Sequence, residues 1–159
     1  IVRTMPNTPA LVGKGMSALY ARAGVSNAQR QSVEAIMATT GDFLWVEHEK
    51  QLDAVTALSG SGPAYVFYFL EAMARAGTAM GLSREQAHRL AVGTFVGASE
   101  LAAASDEPPE VLRQRVTSKG GTTYAAIQSL EKDGVGASFE AAMRAAEQRA
   151  HELGNEFGA

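Results

Sequence analysis

Ser59-Gly60-Ser61-Gly62-Pro63-Ala64-Tyr65-Val66-Phe67-Tyr68-Phe69-Leu70-Glu71-Ala72-Met73-Ala74-Arg75-Ala76-Gly77-Thr78-Ala79-Met80 leads from a glycine-serine turn directly into an apolar helix. Pro63 suits the first turn of that helix, where a missing N–H costs nothing. From Ala64 to about Met80 the helix is apolar nearly all round, with Glu71 and Arg75 the breaks. Charges at that spacing and a length of about 25 Å argue against a membrane span. A helix apolar on every side is a central one wrapped by others. In so short a chain, part of that wrapping is expected from a partner subunit.

Immediately upstream, Leu52 to Leu58 reads as a short helix with Leu52, Val55 and Leu58 on one face. Downstream, Gly81 ends the central helix and Ser83 caps the next, with Gln86 completing a capping box. That helix covers 84–104. Its Gly93 and Gly97 lie four apart on one face and permit close backbone approach by another helix. Asp106-Glu107-Pro108-Pro109 breaks the chain, and Glu110 to Val116 forms a short helix.

A second glycine turn follows in Val116-Thr117-Ser118-Lys119-Gly120-Gly121-Thr122-Thr123-Tyr124-Ala125-Ala126-Ile127. Two adjacent glycines cost a helix roughly 1 kcal/mol each, so the helix stops there. An apolar helical pattern resumes at Thr123 and ends near Asp133–Gly134. Its start would aim unpaired N–H groups and the positive dipole end back at the turn. Gly120 and Gly121 admit a ligand close to the main chain, and the Ser118, Thr122 and Thr123 hydroxyls can donate or accept. This is the chemistry of a small-anion site for a carboxylate or phosphate. A plain N-cap with a flexible lead-in reads equally from these residues. The Lys precedes the glycines, so the loop is not a Walker A motif.

The remaining segments frame these turns. Ile1 to Met5 is strand-like, Pro6-Asn7-Thr8-Pro9 stops any regular element, and 16–21 alternates as a second strand. Ser26 with Gln29 forms a capping-box variant for a helix to about Thr39, ended by Gly41. Asp42 to Val46 is a short strand or extended connector. Ser138 to about Leu153 is a last amphipathic helix, with Gly154–Ala159 expected to fray. Residues 1–25 read as the end of a β-containing domain, and 26–159 as a helical one. The fold class is therefore mainly α, a helical dimerisation bundle with a short extended N-terminal segment.

Composition narrows the function. A net charge of −3, with Lys and Arg scattered, argues against a nucleic-acid groove or an anionic membrane surface. The chain holds no cysteine, which excludes thiol catalysis and thiolate metal sites and is compatible with a reducing, cytoplasmic location. Glu47-His48-Glu49 lacks metal-ligand spacing, so no metal site is expected. His88 and His151 read as unpaired surface residues on exposed helical faces.

Three ordered blocks resemble the C-terminal part of the Δ1-pyrroline-5-carboxylate reductase family. They are Arg3-Thr4-Met5-Pro6-Asn7-Thr8-Pro9-Ala10, then Leu52 through Ser59-Gly60-Ser61-Gly62-Pro63 to Tyr65, then Pro109 through Thr117-Ser118-Lys119-Gly120-Gly121-Thr122-Thr123, continuing at Leu130-Glu131. The resemblance covers essentially the whole chain. It implies NAD(P)H-dependent reduction of 1-pyrroline-5-carboxylate to L-proline, and a homodimer of interlocked helices or an assembly of such dimers. The substrate carboxylate would be held by main-chain N–H groups of Ser118 and Gly120 to Thr122, with the Thr123 hydroxyl, the catalytic candidate, near the ring nitrogen. Thr56 and the turn Ser59, Gly60, Ser61 and Gly62 would wall the same pocket. Pro6 and Asn7 would stand where the nicotinamide of NADP or NAD approaches. No G-x-G-x-x-G follows a strand, so the cofactor would be bound mainly by a nucleotide-binding domain absent from these residues, and the chain alone is expected to be inactive. Two other readings stay open: the helical domain of a different dehydrogenase acting on a hydroxy acid, and an inert dimerisation module.

Overall fold

The computed structural model describes residues 1–157 and is mainly α-helical. In chain order it comprises β1 (Val2–Met5), a 3-10 turn (Thr8–Val12), β2 (Gly15–Ala21), α1 (Asn27–Met37), β3 (Gly41–Trp45), α2 (Gln51–Val55) and a π-helical turn (Thr56–Gly60). The remaining helices are α3 (Gly62–Ala79), α4 (Arg84–Ala103), α5 (Pro109–Arg115), α6 (Thr122–Lys132) and α7 (Val135–Phe157). Two compact units emerge, one of 1–66 with 140–159 and one of 67–139.

In the first unit β2 lies between β1, antiparallel to it, and β3, parallel to it. A parallel pair needs a crossover, and α1 supplies it. The side chain of Ser26 accepts from Gln29 N while Gln29 Oε1 accepts from Ser26 N, so the expected capping box closes. Trp45 Nε1 donates to Glu34 Oε1 at 2.6 Å and Arg30 stacks 4.6 Å over the Trp45 ring, which fixes α1 against β3. Ser17, Ala18 and Leu19 of β2 are buried, together with Leu52 of α2 and Ala57 of the π turn. Glu49 receives Arg3 at 2.9 Å, tying the segment before α2 to β1.

In the second unit α3 turns into α4 through Gly81, at φ 101°, and the Ser83–Gln86 capping box forms as expected. Gly77 meets Ala87, small residue against small residue, while Ala87 and Ala91 are buried. Phe69 packs edge-on against Phe139 with centroids 5.7 Å apart.

Several expectations need correction. Pro6–Pro9 does not exclude regular structure, because Pro9 opens a 3-10 turn, where its missing N–H is not needed. Gly41 does not end α1. That helix closes at Met37 and Gly41 is the first residue of β3, facing Gly15. α7 begins at Val135 rather than Ser138 and continues as helix past Gly154 to Phe157. Arg149 pairs with Glu152 at 3.1 Å and Glu156 at 3.0 Å, bracing the last turns through Phe157. Residues 158 and 159 lie outside the described residues.

Candidate active site

The first cluster of candidate residues lies where α2 runs into α3. Sequence reading placed a glycine-serine turn there, yet the backbone stays helical and only its winding changes. Ser61 N donates to Thr56 O at 2.8 Å, a bond reaching back five residues in place of four. A π-wound turn of this kind is uncommon and concentrates at functional sites. Thr56 Oγ1 donates to Leu52 O at 2.7 Å and Ser59 Oγ to Val55 O at 3.1 Å, so both hydroxyls spend their protons on their own helix. Their lone pairs are what remains for a ligand.

Two carbonyls here lose their usual helical donor, one to the changed winding and one to Pro63, and each recovers a donor from a side chain. Ala57 O would accept from Ser61 N in an α-helix, but that N–H goes to Thr56. Tyr65 Oη donates to Ala57 O at 3.0 Å in its place. Ser59 O would accept from residue 63, which is proline and has no N–H. Asn7 Nδ2 donates to Ser59 O at 3.1 Å, while Asn7 Oδ1 accepts from Met16 N at 2.9 Å. Asn7 thus clamps the start of β2 to the π turn. A Cβ at Gly60 would meet the methyl end of Met5, a flexible side chain that would have to shift. Pro6 and Asn7, expected near the cofactor, and Thr56, Ser59 and Gly60, expected near the substrate, accordingly meet in one place. Ser61 and Gly62 continue the same chain into α3.

The second cluster lies between α5 and α6. Gly121 N donates to Ser118 O at 3.0 Å, closing a four-residue turn. Gly120 is its third residue, at φ 78°, the left-handed conformation that a type II turn requires there. Gly121 then stands at the head of α6 with extended backbone, and no side chain caps the helix. The N–H groups of its first turn, Thr122 to Tyr124, are therefore open, with the helix dipole behind them. Ser118, Thr122 and Thr123 are exposed beside them, as is Lys119. Arg113 reaches Glu131 at 3.2 Å and Arg115 reaches Glu107 at 2.6 Å, bracing the turn from both flanking helices. Thr117, by contrast, is engaged locally, donating from Oγ1 to Arg113 O at 2.6 Å. This half can hold a carboxylate by main-chain donors and offers Thr123 as a neutral hydroxyl.

Some partnerships were not visible in sequence. His151 is not unpaired: its Nδ1 lies 3.3 Å from Asp53 Oδ2, linking α7 to α2 across 98 residues. Nothing periodic marks such a pair. Tyr65 reads in sequence as one more apolar residue of α3, and its bond to Ala57 O, eight residues back and beyond the three- or four-residue reach of neighbours on a helix, leaves no periodic mark. Glu49 is held below the usual glutamate range, first by the Arg3 hydrogen bond and further by the charges of Arg22 and Arg3.

Comparison with known proteins points to one family. A pyrroline-5-carboxylate reductase of Pseudomonas aeruginosa is 50% identical over 158 residues, which are 99% of this chain and 58% of that protein. One from Arabidopsis thaliana is 43% identical over 96% of this chain and 55% of its own length. Among solved structures, a pyrroline-5-carboxylate reductase from Coxiella burnetii superposes with a TM-score of 0.92 at 43% identity, covering 96% of this chain and 57% of that one. The Plasmodium falciparum pyrroline carboxylate reductase, solved with NADP bound, gives 0.91 at 36% identity, covering 97% and 63%. The chain thus spans between half and two thirds of the length of these relatives. Residues 49–153 match the family described as pyrroline-5-carboxylate reductase dimerisation, and the chain belongs to that family.

Proposed function

We propose that this chain is the dimerising and substrate-binding part of a pyrroline-5-carboxylate reductase, an enzyme that reduces 1-pyrroline-5-carboxylate to L-proline with NADPH or NADH. The observation that carries the reading is the uncapped start of α6, in a chain that belongs to this family. An amino-acid-like imine brings one carboxylate, and that helix end offers donors without a competing side chain. In this reading Ser118, Gly120 and Thr122 bind the carboxylate by their N–H groups, while Gly121, whose N–H is spent on Ser118 O, shapes the turn. Thr123 donates to the ring nitrogen or relays a proton through water. Thr56 and Ser59 to Gly62 wall the ring, and Pro6 and Asn7 face the nicotinamide end.

Hydride passes from the nicotinamide C4 to the imine carbon, and the electron pair of the C=N bond moves to nitrogen. A protonated imine is already electrophilic, so positioning rather than a strong protein acid carries the rate. The cofactor's phosphates are held outside these residues, which contain no G-x-G-x-x-G.

For the domain division, the pairing of β3 with β2 and the family match from residue 49 support a boundary after Trp45, in place of one at residue 25. The same proposal includes a homodimer, with assembly of dimers as its extension, and a cytoplasmic location. Among the described residues no helix is long and apolar enough to cross a membrane.

The test is turnover by the full-length enzyme with the cyclic imine and with a small hydroxy acid. Imine reduction alone supports the reading, and hydroxy-acid turnover alone sinks it. In the same assay Thr123→Val should lower kcat/KM by about tenfold, the worth of one good hydrogen bond, with folding intact. Unchanged kinetics would remove Thr123 from the mechanism.

A further inference from the structure

We propose that Tyr65 is a positioning residue for the substrate pocket, its hydroxyl holding the 56–60 turn in π winding. The inference rests on the proposed function, since it takes Thr56, Ser59 and Gly60 to line the reacting ring.

The Ala57 carbonyl has two competing donors. In α winding it would take Ser61 N. In the structure Ser61 N is committed to Thr56 O at 2.8 Å, and Tyr65 Oη supplies Ala57 O at 3.0 Å. Ala57 is 3% exposed, so its carbonyl cannot fall back on bulk water. Removing the phenolic oxygen would leave a buried acceptor unsatisfied. The nearest remedy is to recapture Ser61 N, which rewinds the turn to α geometry. Rewinding rotates the residues that follow and changes how Ser59 to Gly62 present their backbone and hydroxyls.

Pro63 biases the same choice from the other side. Because it has no N–H, α winding would still leave Ser59 O without a helical donor, and Asn7 Nδ2 holds that oxygen at 3.1 Å. Tyr65 therefore occupies the acceptor that π winding leaves over, and Asn7 the one that Pro63 leaves over. Tyr65 acts through the turn and touches no reacting atom in this account.

The experiment is Tyr65→Phe in the full-length enzyme, read by steady-state kinetics and by amide hydrogen exchange over residues 57–62. The expected result is a fall of about tenfold in kcat/KM for the imine, with the KM for nicotinamide cofactor held within about twofold. Exchange at Ser61 should change with it. A merely structural tyrosine would lower Tm and the active fraction without splitting the two substrates. Unchanged imine kinetics would overturn the proposal, whether or not exchange changes. Should Tyr65→Phe fail to fold, Pro63→Ala decides. It returns an N–H to Ser59 O and favours α winding, so it should raise the imine KM, and an unaltered KM would overturn the proposal. If the wild-type enzyme reduced no imine at all, the functional reading would fail while exchange at Ser61 still reported on Tyr65.

Discussion

At Gly121 an added methyl group would stand 2.8 Å from Ser118 Oγ and 3.1 Å from Ser118 O. The hydroxyl can rotate away, but the carbonyl is the acceptor that closes the turn and cannot leave without opening it. Gly121→Ala should therefore move the N–H groups at the head of α6 by a fraction of an ångström while leaving the helix itself in place. A carboxylate held by several such donors is sensitive to that displacement. The imine KM should rise by about tenfold with a smaller change in kcat, because the lost interaction is one made in ground and transition state alike. Steady-state kinetics on the full-length enzyme check this, and a normal KM would move the carboxylate site elsewhere. Asn7 shows the opposite economy. It is committed to Ser59 O and Met16 N at once, so its first duty is to join strand to turn.

Helix starts illustrate how far local chemistry reaches. The Ser83 hydroxyl accepts from Gln86 N at 3.1 Å while Gln86 Oε1 accepts from Ser83 N at 2.9 Å. Ser83→Ala should cost about 1 kcal/mol, the usual worth of an N-cap, and lower Tm without altering kinetics. Thermal unfolding of the full-length enzyme would show it, and an unchanged Tm would mean the helix start is held by packing alone. Both capping boxes were legible because donor and acceptor sit three residues apart. The uncapped head of α6 was legible for the same reason, glycines and hydroxyls being adjacent in the chain. The winding of 56–60 was not. Ser59-Gly60-Ser61-Gly62-Pro63 carries every local mark of a break, and the donor that Ser59 O takes comes from Asn7, 52 residues earlier. The same limit hid His151, whose partner Asp53 is 98 residues away. α7 reaches beyond Leu153 although Gly154 weighs against a helix locally, and the Arg149 pairs with Glu152 and Glu156 span that position.

Across the whole chain, apolar composition and burial do not match. Hydrophobic residues make up 46% of the sequence, yet among the described residues the buried apolar side chains are Ala18, Leu19, Leu52, Ala57, Ala87 and Ala91. α3, which the sequence marks as central, has Gly77 as its buried residue and leaves Phe67 59% and Tyr68 65% exposed. On α4, Gly93 and Gly97 face open space, so the close helix approach they permit is not made within these residues. Surface of this kind left wet costs about 25 cal/mol per Å², and a second copy laid against α3 would recover it. If the pair has two-fold symmetry, each residue at the interface counts twice. Truncating a buried Phe costs about 3 kcal/mol, so Phe67→Ala should weaken the dimer by about 6 kcal/mol, roughly four powers of ten in Kd. Sedimentation equilibrium of the full-length protein at micromolar concentration should then show dimer for the wild type and for Phe67→Leu, which keeps most of the apolar bulk, and monomer for Phe67→Ala. A dimer of unchanged affinity in Phe67→Ala would mean that Phe67 lies outside the interface between copies, and that its cover comes from somewhere other than a second copy.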